Sequence, residues 1–181
     1  PPGILVSNTF SIPIYINPIT VASPDSSICL GDSLQLYVGG GNQFHWTVLP
    51  GGDDTLSMSC TYCDSPKVSP SITTTYVVTS DLVSLCSKSS DTVTVVVATG
   101  PTLTITPDTV TCINANLQLN VNAFPAGQPY NYSWSPTTYL NNSTIANPIM
   151  QLPGNTTSYT VTVVPQGILA CSSEAVVNVE V

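Results

Sequence analysis

The sequence predicts an all-β chain built as two tandem β-sandwiches of roughly 80 residues each. Three observations predict it. Apolar residues recur at period two. Glycine- and proline-rich turns interrupt every such run. And the chain repeats itself at an offset of 83 residues, the step from Cys29 to Cys112.

The repeat can be followed residue by residue. Cys29-Leu30-Gly31-Asp32-Ser33-Leu34-Gln35-Leu36 falls without a gap on Cys112-Ile113-Asn114-Ala115-Asn116-Leu117-Gln118-Leu119, and Pro24-Asp25 falls on Pro107-Asp108. Phe44-His45-Trp46 corresponds to Tyr132-Ser133-Trp134 after a small insertion. Thr73-Thr74-Thr75-Tyr76-Val77-Val78-Thr79 falls on Thr156-Thr157-Ser158-Tyr159-Thr160-Val161-Thr162. Cys86, followed by Val93, Val95 and Val97, corresponds to Cys171, followed by Val177, Val179 and Val181.

Each copy reads as strands. Leu34/Leu36/Val38, Phe44/Trp46/Val48, Tyr76/Val78 and Val93/Val95/Val97 alternate with Thr, Ser or Gln. Gly39-Gly40-Gly41-Asn42, Pro50-Gly51-Gly52-Asp53-Asp54 and Pro153-Gly154-Asn155 supply the turns. No segment carries a helical period. One inward Trp in the third strand of each copy points to sandwiches of immunoglobulin type. The expected domains are 18–98 and 99–181. Residues 1–17 read as the last strand of a preceding repeat, because Asn8–Ile16 alternates as Asp91–Val97 does, with Pro13 marking an edge position. The start, Pro1-Pro2-Gly3, reads as a processed end or the edge of an excised segment. The linkers Asn17-Pro18-Ile19-Thr20 and Ala98-Thr99-Gly100-Pro101 are short and contain proline, which predicts stiff coupling between neighbours.

Composition narrows the function. Charged residues make up 7% of the 181, with 2 Lys and Arg against 10 Asp and Glu, for a net charge of -8. Ser and Thr supply about a quarter of the chain. Two positive charges cannot form an electrostatic footprint for nucleic acid or anionic lipid. No apolar run approaches the roughly 18 residues of a membrane span. Hydrophobic residues at 42% and a mean hydropathy of +0.26 argue against disorder. Six cysteines in so weakly charged a chain point to an oxidising compartment.

The repeat suggests a cysteine pairing. Each copy holds one cysteine at each of two equivalent places, so Cys29–Cys86 and Cys112–Cys171 are expected as staples at one end of each sandwich. Cys60-Thr61-Tyr62-Cys63 has no counterpart in the second copy, which holds Asn142-Ser143-Thr144-Ile145 there. A zinc half-site would need two more ligands, and none remain once the other four cysteines pair. A redox dithiol would want a helix N-terminus, which the neighbouring Ser57-Met58-Ser59 and Asp64-Ser65-Pro66 do not offer. A small disulfide loop pinning a connection is the plainer reading.

Catalytic signals are sparse, and no enzyme, cofactor or metal is expected. His45 is the one histidine. On a strand it points away from Phe44 and Trp46, toward solvent. A Ser/His/Asp site would rest on this residue alone. Asp53-Asp54 could offer oxygens to calcium, but adjacent side chains diverge, so the turn reading is preferred. Asn131, Asn142 and Asn155 open N-glycosylation sequons, which are expected by chance in a chain so rich in Asn, Ser and Thr. Tyr62, Tyr130 and Tyr139 are aromatics that could stack on sugars or pack.

At Leu56-Ser57-Met58-Ser59-Cys60-Thr61-Tyr62-Cys63, at Ser65-Pro66-Lys67-Val68-Ser69-Pro70 and at Asp91-Thr92-Val93-Thr94-Val95 the chain resembles the tandem immunoglobulin-like (PKD-like) repeats of Bacteroidota surface proteins. The second copy shows the same frame at Tyr132–Leu140 and Thr156–Thr162. Where true PKD domains carry Trp-Asp-Phe-Gly-Asp-Gly, this chain has Trp46-Thr47-Val48-Leu49-Pro50 and Trp134-Ser135-Pro136. The resemblance implies an extracellular, cell-surface location and a large multi-repeat protein of the gliding-motility adhesin kind, exported by type IX secretion. It also implies O-glycosylation at Asp-Ser/Thr-apolar triplets, here Ser33, Thr55, Thr92 and Thr109. The same triplets also read simply as strand openings.

The expected role is a disulfide-stapled stalk or fibre whose partners are neighbouring immunoglobulin-like repeats in the same or adjacent chains, with surface glycans or other cells beyond them. The alternatives are a filament subunit joined by β-strand addition through residues 8–16, and a glycan-binding module.

Overall fold

The computed structural model describes residues 19–81, 89–151, 153–167 and 170–181. The expected strand at 8–16, and Cys86, lie outside the described residues.

Among the described residues sixteen strands form, eight from each copy of the repeat. The first copy supplies β1 (Val21–Ala22), β2 (Ser26–Cys29), β3 (Leu34–Gln35), β4 (Val38–Gly39), β5 (Phe44–Val48), β6 (Lys67–Val68), β7 (Thr74–Ser80) and β8 (Ser89–Ala98). The second supplies β9 (Thr102–Ile105), β10 (Thr109–Val110), β11 (Leu117–Gln118), β12 (Val121–Phe124), β13 (Tyr130–Ser135), β14 (Ile149–Met150), β15 (Thr157–Pro165) and β16 (Ser173–Glu180). Helical content among the described residues is one 3-10 turn, Thr55–Ser57, capped by the Asp54 side chain.

Each copy folds into one four-stranded sheet, β2-β8-β7-β5 or β10-β16-β15-β13. Pairs of short strands accompany it: β1-β4 and β3-β6 in the first copy, β9-β12 and β11-β14 in the second. This is the all-β, immunoglobulin-like sandwich architecture the periodicity predicts. The long hairpin strands β7 and β15 bury alternate residues, as a sheet with one face on a core must.

Both cores centre on the same side chains. Trp46 sits across from Val78, and Tyr76 across from Val93. In the second copy Trp134 faces Val161 and Tyr159 faces Val177. Leu36, Val68 and Val95 pack into the first cluster; Leu119, Met150 and Val179 pack into the second. The two clusters share no residue.

One expected strand is split. Leu34/Leu36/Val38 does not run as a single ladder strand. Leu36 points fully into the core between β3 and β4, and its N–H donates to the Pro66 carbonyl at 2.9 Å. Leu119 does the same with the Pro148 carbonyl at 3.0 Å. The proline-bearing connection offers carbonyls at these points, so the edge changes partner in mid-run.

Because the cores are separate, each Trp should govern one sandwich. Trp46→Ala or Trp134→Ala is expected to cost about 3–5 kcal/mol in its own sandwich. Calorimetry should then show one transition displaced or lost and the other kept at its native temperature.

Candidate functional site

The long-range cysteines Cys29, Cys112 and Cys171 stand at the ends of the last strands, and strand direction puts them there. β2 runs parallel to β8, with Cys29 opposite Ala98. The Leu30 N–H donates to the Ala98 carbonyl at 2.8 Å. Cys29 therefore stands at the end of β8, where the chain leaves for the second sandwich. In the second copy β10 runs parallel to β16, and the Thr111 N–H donates to the Glu180 carbonyl at 2.9 Å. Cys112 thus stands at the end of β16. Cys171 stands ahead of Ser173, which opens that strand.

This geometry corrects the expected pairing. The eight residues of β16 span about 26 Å at strand rise, whereas a disulfide needs Cα atoms within about 7 Å. Cys112–Cys171 cannot close inside one sandwich. Cys29–Cys86 does not form either, because Cys29 is bonded elsewhere.

Instead, Cys29 bonds to Cys171 across the two sandwiches, with Cα atoms 5.5 Å apart and 142 residues between them in sequence. Cys171 is buried and Cys29 half-buried. The linker is drawn in tightly beside it. A Cβ on Gly100 would lie 2.4 Å from both the Ser172 carbonyl oxygen and the Ser173 Oγ, so a side chain there must displace backbone. Peptide and disulfide together give the pair two covalent connections at one pole. Closing so long a loop is worth about 5 kcal/mol on the chain-entropy model. Cys112, expected to be paired, is free and exposed.

Cys60–Cys63 forms the small disulfide that the plainer reading expects. It holds a turn around the core Trp. The Trp46 N–H donates to the Thr61 carbonyl at 2.8 Å, and its indole Nε1–H to the Cys63 carbonyl at 2.9 Å. The second copy builds the same cradle without sulfur. The Trp134 N–H donates to Ser143 and its indole to Ile145, at 2.8 and 2.9 Å. There the Asn142 Oδ1 accepts from the Thr144 N–H and hydroxyl, an Asx turn in place of the disulfide.

The remaining candidates resolve into local structure. His45 is half-buried and stacks on Tyr62, ring centroids 4.5 Å apart and 12° from parallel. Around them Gln43, Phe44, Asp64, Thr79 and Asp81 line an open cleft of about 590 Å³. The Tyr130 hydroxyl donates to the Pro125 carbonyl, and the Tyr139 hydroxyl accepts from Asn155. The Asp53 carboxylate accepts from the Ser71 N–H and hydroxyl and from the Asp54 N–H; Asp54 caps the 3-10 turn. Both carboxylates are used in turns, as the sequence suggests. Among the described residues no group of three His, Cys, Asp or Glu could hold a metal ion. No helix of these residues is long and apolar enough to cross a membrane. Ser33, Thr55 and Thr92 are exposed and Thr109 half-buried.

A few titrating groups are displaced. Hydrogen bonds from the Ser71 N–H, then the Asp54 N–H and the Ser71 hydroxyl, hold Asp53 below its ordinary 3.8. The Asn178 side-chain amide, then its N–H, does the same for Asp108. Burial raises Tyr76, Tyr132 and Tyr159 above their ordinary 10.0.

No family model and no curated protein matches the chain. Among solved structures it is similar to DIP-gamma IG1+IG2, at 11% identity and TM-score 0.41, covering 91% of this chain and 98% of that one. It is similar to the insect immune protein hemolin at 13% identity and TM-score 0.44, over 90% of this chain and 46% of hemolin. It is similar to Drosophila N-cadherin EC1-4 at 13% identity and TM-score 0.35, over 90% and 49% respectively.

Three outcomes are expected. A non-reduced digest should contain one peptide pair joining Cys29 to Cys171. Cys60→Ser with Cys63→Ser should cost about 2 kcal/mol in urea titration, the value of a very short loop, and leave the sandwich folded, since the second copy manages without the bond. Stability should be flat near neutrality and fall at both extremes. The lowered carboxylates stabilise above their unfolded pKa, and that gain disappears as pH drops below about 4. The raised tyrosines stabilise below about 10, and that gain disappears as pH climbs through their folded values. Asp53→Asn and Asp108→Asn should each shallow the acid limb and leave the alkaline limb unchanged.

Proposed function

We propose that the chain is a rigid, non-enzymatic segment of a long extracellular surface protein, built from immunoglobulin-like domains at 18–98 and 99–181. The Cys29–Cys171 bond carries this reading. A bond within one domain stabilises that domain; a bond between two domains restrains their relative motion, which is what a stalk or fibre requires. Disulfides fit an oxidising, extracellular location. The sparse charge fits a surface whose properties change little with salt.

The residues shared with Bacteroidota PKD-like repeats support placing the segment in a type IX-exported adhesin of the gliding-motility kind. The exposure of Ser33, Thr55 and Thr92 supports their use, with Thr109, as O-glycan acceptors. Neighbouring repeats are the partners of such a segment. Surface glycans or other cells would be met by a distal module.

The test is the spread of distances between spin labels placed one on each sandwich. The native chain should give a narrow distribution. Cys29→Ser with Cys171→Ser should broaden it severalfold while circular dichroism shows both sandwiches folded. Equal widths in the two proteins would overturn the stalk reading.

A further inference from the structure

We propose that Cys112 is a coupling site that joins the outer pole of the second sandwich to another domain of this same repeat, through the cysteine that precedes that domain's last strand. This deepens the stalk reading and rests on it.

The chain contains its own precedent. Cys29 and Cys112 are equivalent in fold as well as in sequence. Cys29 closes, and Cys112 follows, a short strand paired parallel to the last strand of its sandwich. Each opens a tight turn, its carbonyl accepting from Asp32 N–H at 2.9 Å or Ala115 N–H at 3.0 Å. The third residue of that turn has positive φ in both, Gly31 at 93° and Asn114 at 61°. Each turn is preceded by an Asp that accepts from a backbone N–H of the last strand: Asp25 from Thr94 at 2.7 Å, Asp108 from Asn178 at 2.8 Å. One of these two matching cysteines is bonded to the next sandwich. The other is free and exposed.

An unpaired exposed thiol in an oxidising compartment is itself reactive, and an odd cysteine in a secreted protein points to a partner outside the domain. The partner's chemistry follows from the joint already made: a thiol in the few residues ahead of a last strand, as Cys171 is ahead of β16. Such a contact is head-to-tail and does not close on itself, so it extends a series of domains.

The bond forms by exchange with a disulfide oxidant. The Cys112 thiolate attacks the oxidant and displaces one thiol, giving a mixed disulfide. The partner thiolate then attacks the Cys112 sulfur and displaces the second. Two protein thiols lose two protons and two electrons, and the oxidant's disulfide becomes two thiols.

A second copy of the chain can stand in for the further domain, because the sequence counterpart of Cys171 in the first copy is Cys86. Equal amounts of light and 15N-labelled protein are incubated with glutathione disulfide and glutathione, then separated without reduction and mapped. The expected result is a ladder of oligomers with mixed-isotope peptides joining Cys112 to Cys86. Cys112→Ser should abolish the ladder, with circular dichroism and thermal midpoint unchanged. Cys112–Cys112 pairs, a monomeric glutathione adduct, a single-isotope Cys112–Cys86 pair or an unreacted Cys112 would each overturn the proposal. The Cys29–Cys171 peptide is read from the same digest. Its presence with any of those outcomes removes the coupling site alone; its absence removes the stalk reading as well.

Discussion

The parallel pairing of a short early strand with the last strand organises this molecule. β2 lies along the end of β8, and β10 along the end of β16. In an all-antiparallel meander, two cysteines flanking the last strand could meet at one pole. Here the parallel strand carries its cysteine to the exit pole, while Cys171, ahead of β16, stays at the entry pole. An internal Cys112–Cys171 staple is thereby out of reach, and the exit Cys29 of the first sandwich meets the entry Cys171 of the second. Domain coupling is thus a consequence of strand direction inside each domain.

The two copies also show which features the fold requires and which can be exchanged. Both bury a Trp whose indole N–H must find an acceptor, since an unpaired buried donor costs about 1–3 kcal/mol. Both meet that need with a carbonyl from the connection that crosses the Trp. One copy fixes the turn with sulfur and the other with an asparagine side chain. The constraint is the carbonyl's position, and the chemistry that holds it varies. A similar economy runs through the surface. With so few charges, carboxylates such as Asp25, Asp53 and Asp108 accept from backbone N–H groups.

Much of this was legible in the sequence. The alternation at Tyr76/Val78 and Val93/Val95/Val97 marks strands because a sheet with one buried face imposes period two. The repeat marks two sandwiches because equivalent residues recur in order. Asp53 and Asp54 could be assigned to a turn, and Cys60–Cys63 to a local loop, since sequence-near groups have few alternatives. The stacking of His45 on Tyr62 left no such trace, because those residues meet only once the connection folds back over β5.

What the sequence determined by itself was therefore local or repeated: strand periods, turn chemistry, the two cores and the short-range disulfide. What only the tertiary structure decided was the partner of each long-range cysteine. A strand shows the same alternation whether its neighbour runs parallel or antiparallel, so nothing in the pattern around Cys29 or Cys112 says to which pole it is carried. That choice is made by hydrogen bonds between segments some 70 residues apart, the Thr94 N–H to the Asp25 carboxylate and the Asn178 N–H to the Asp108 carboxylate among them, and it is what couples one sandwich to the next.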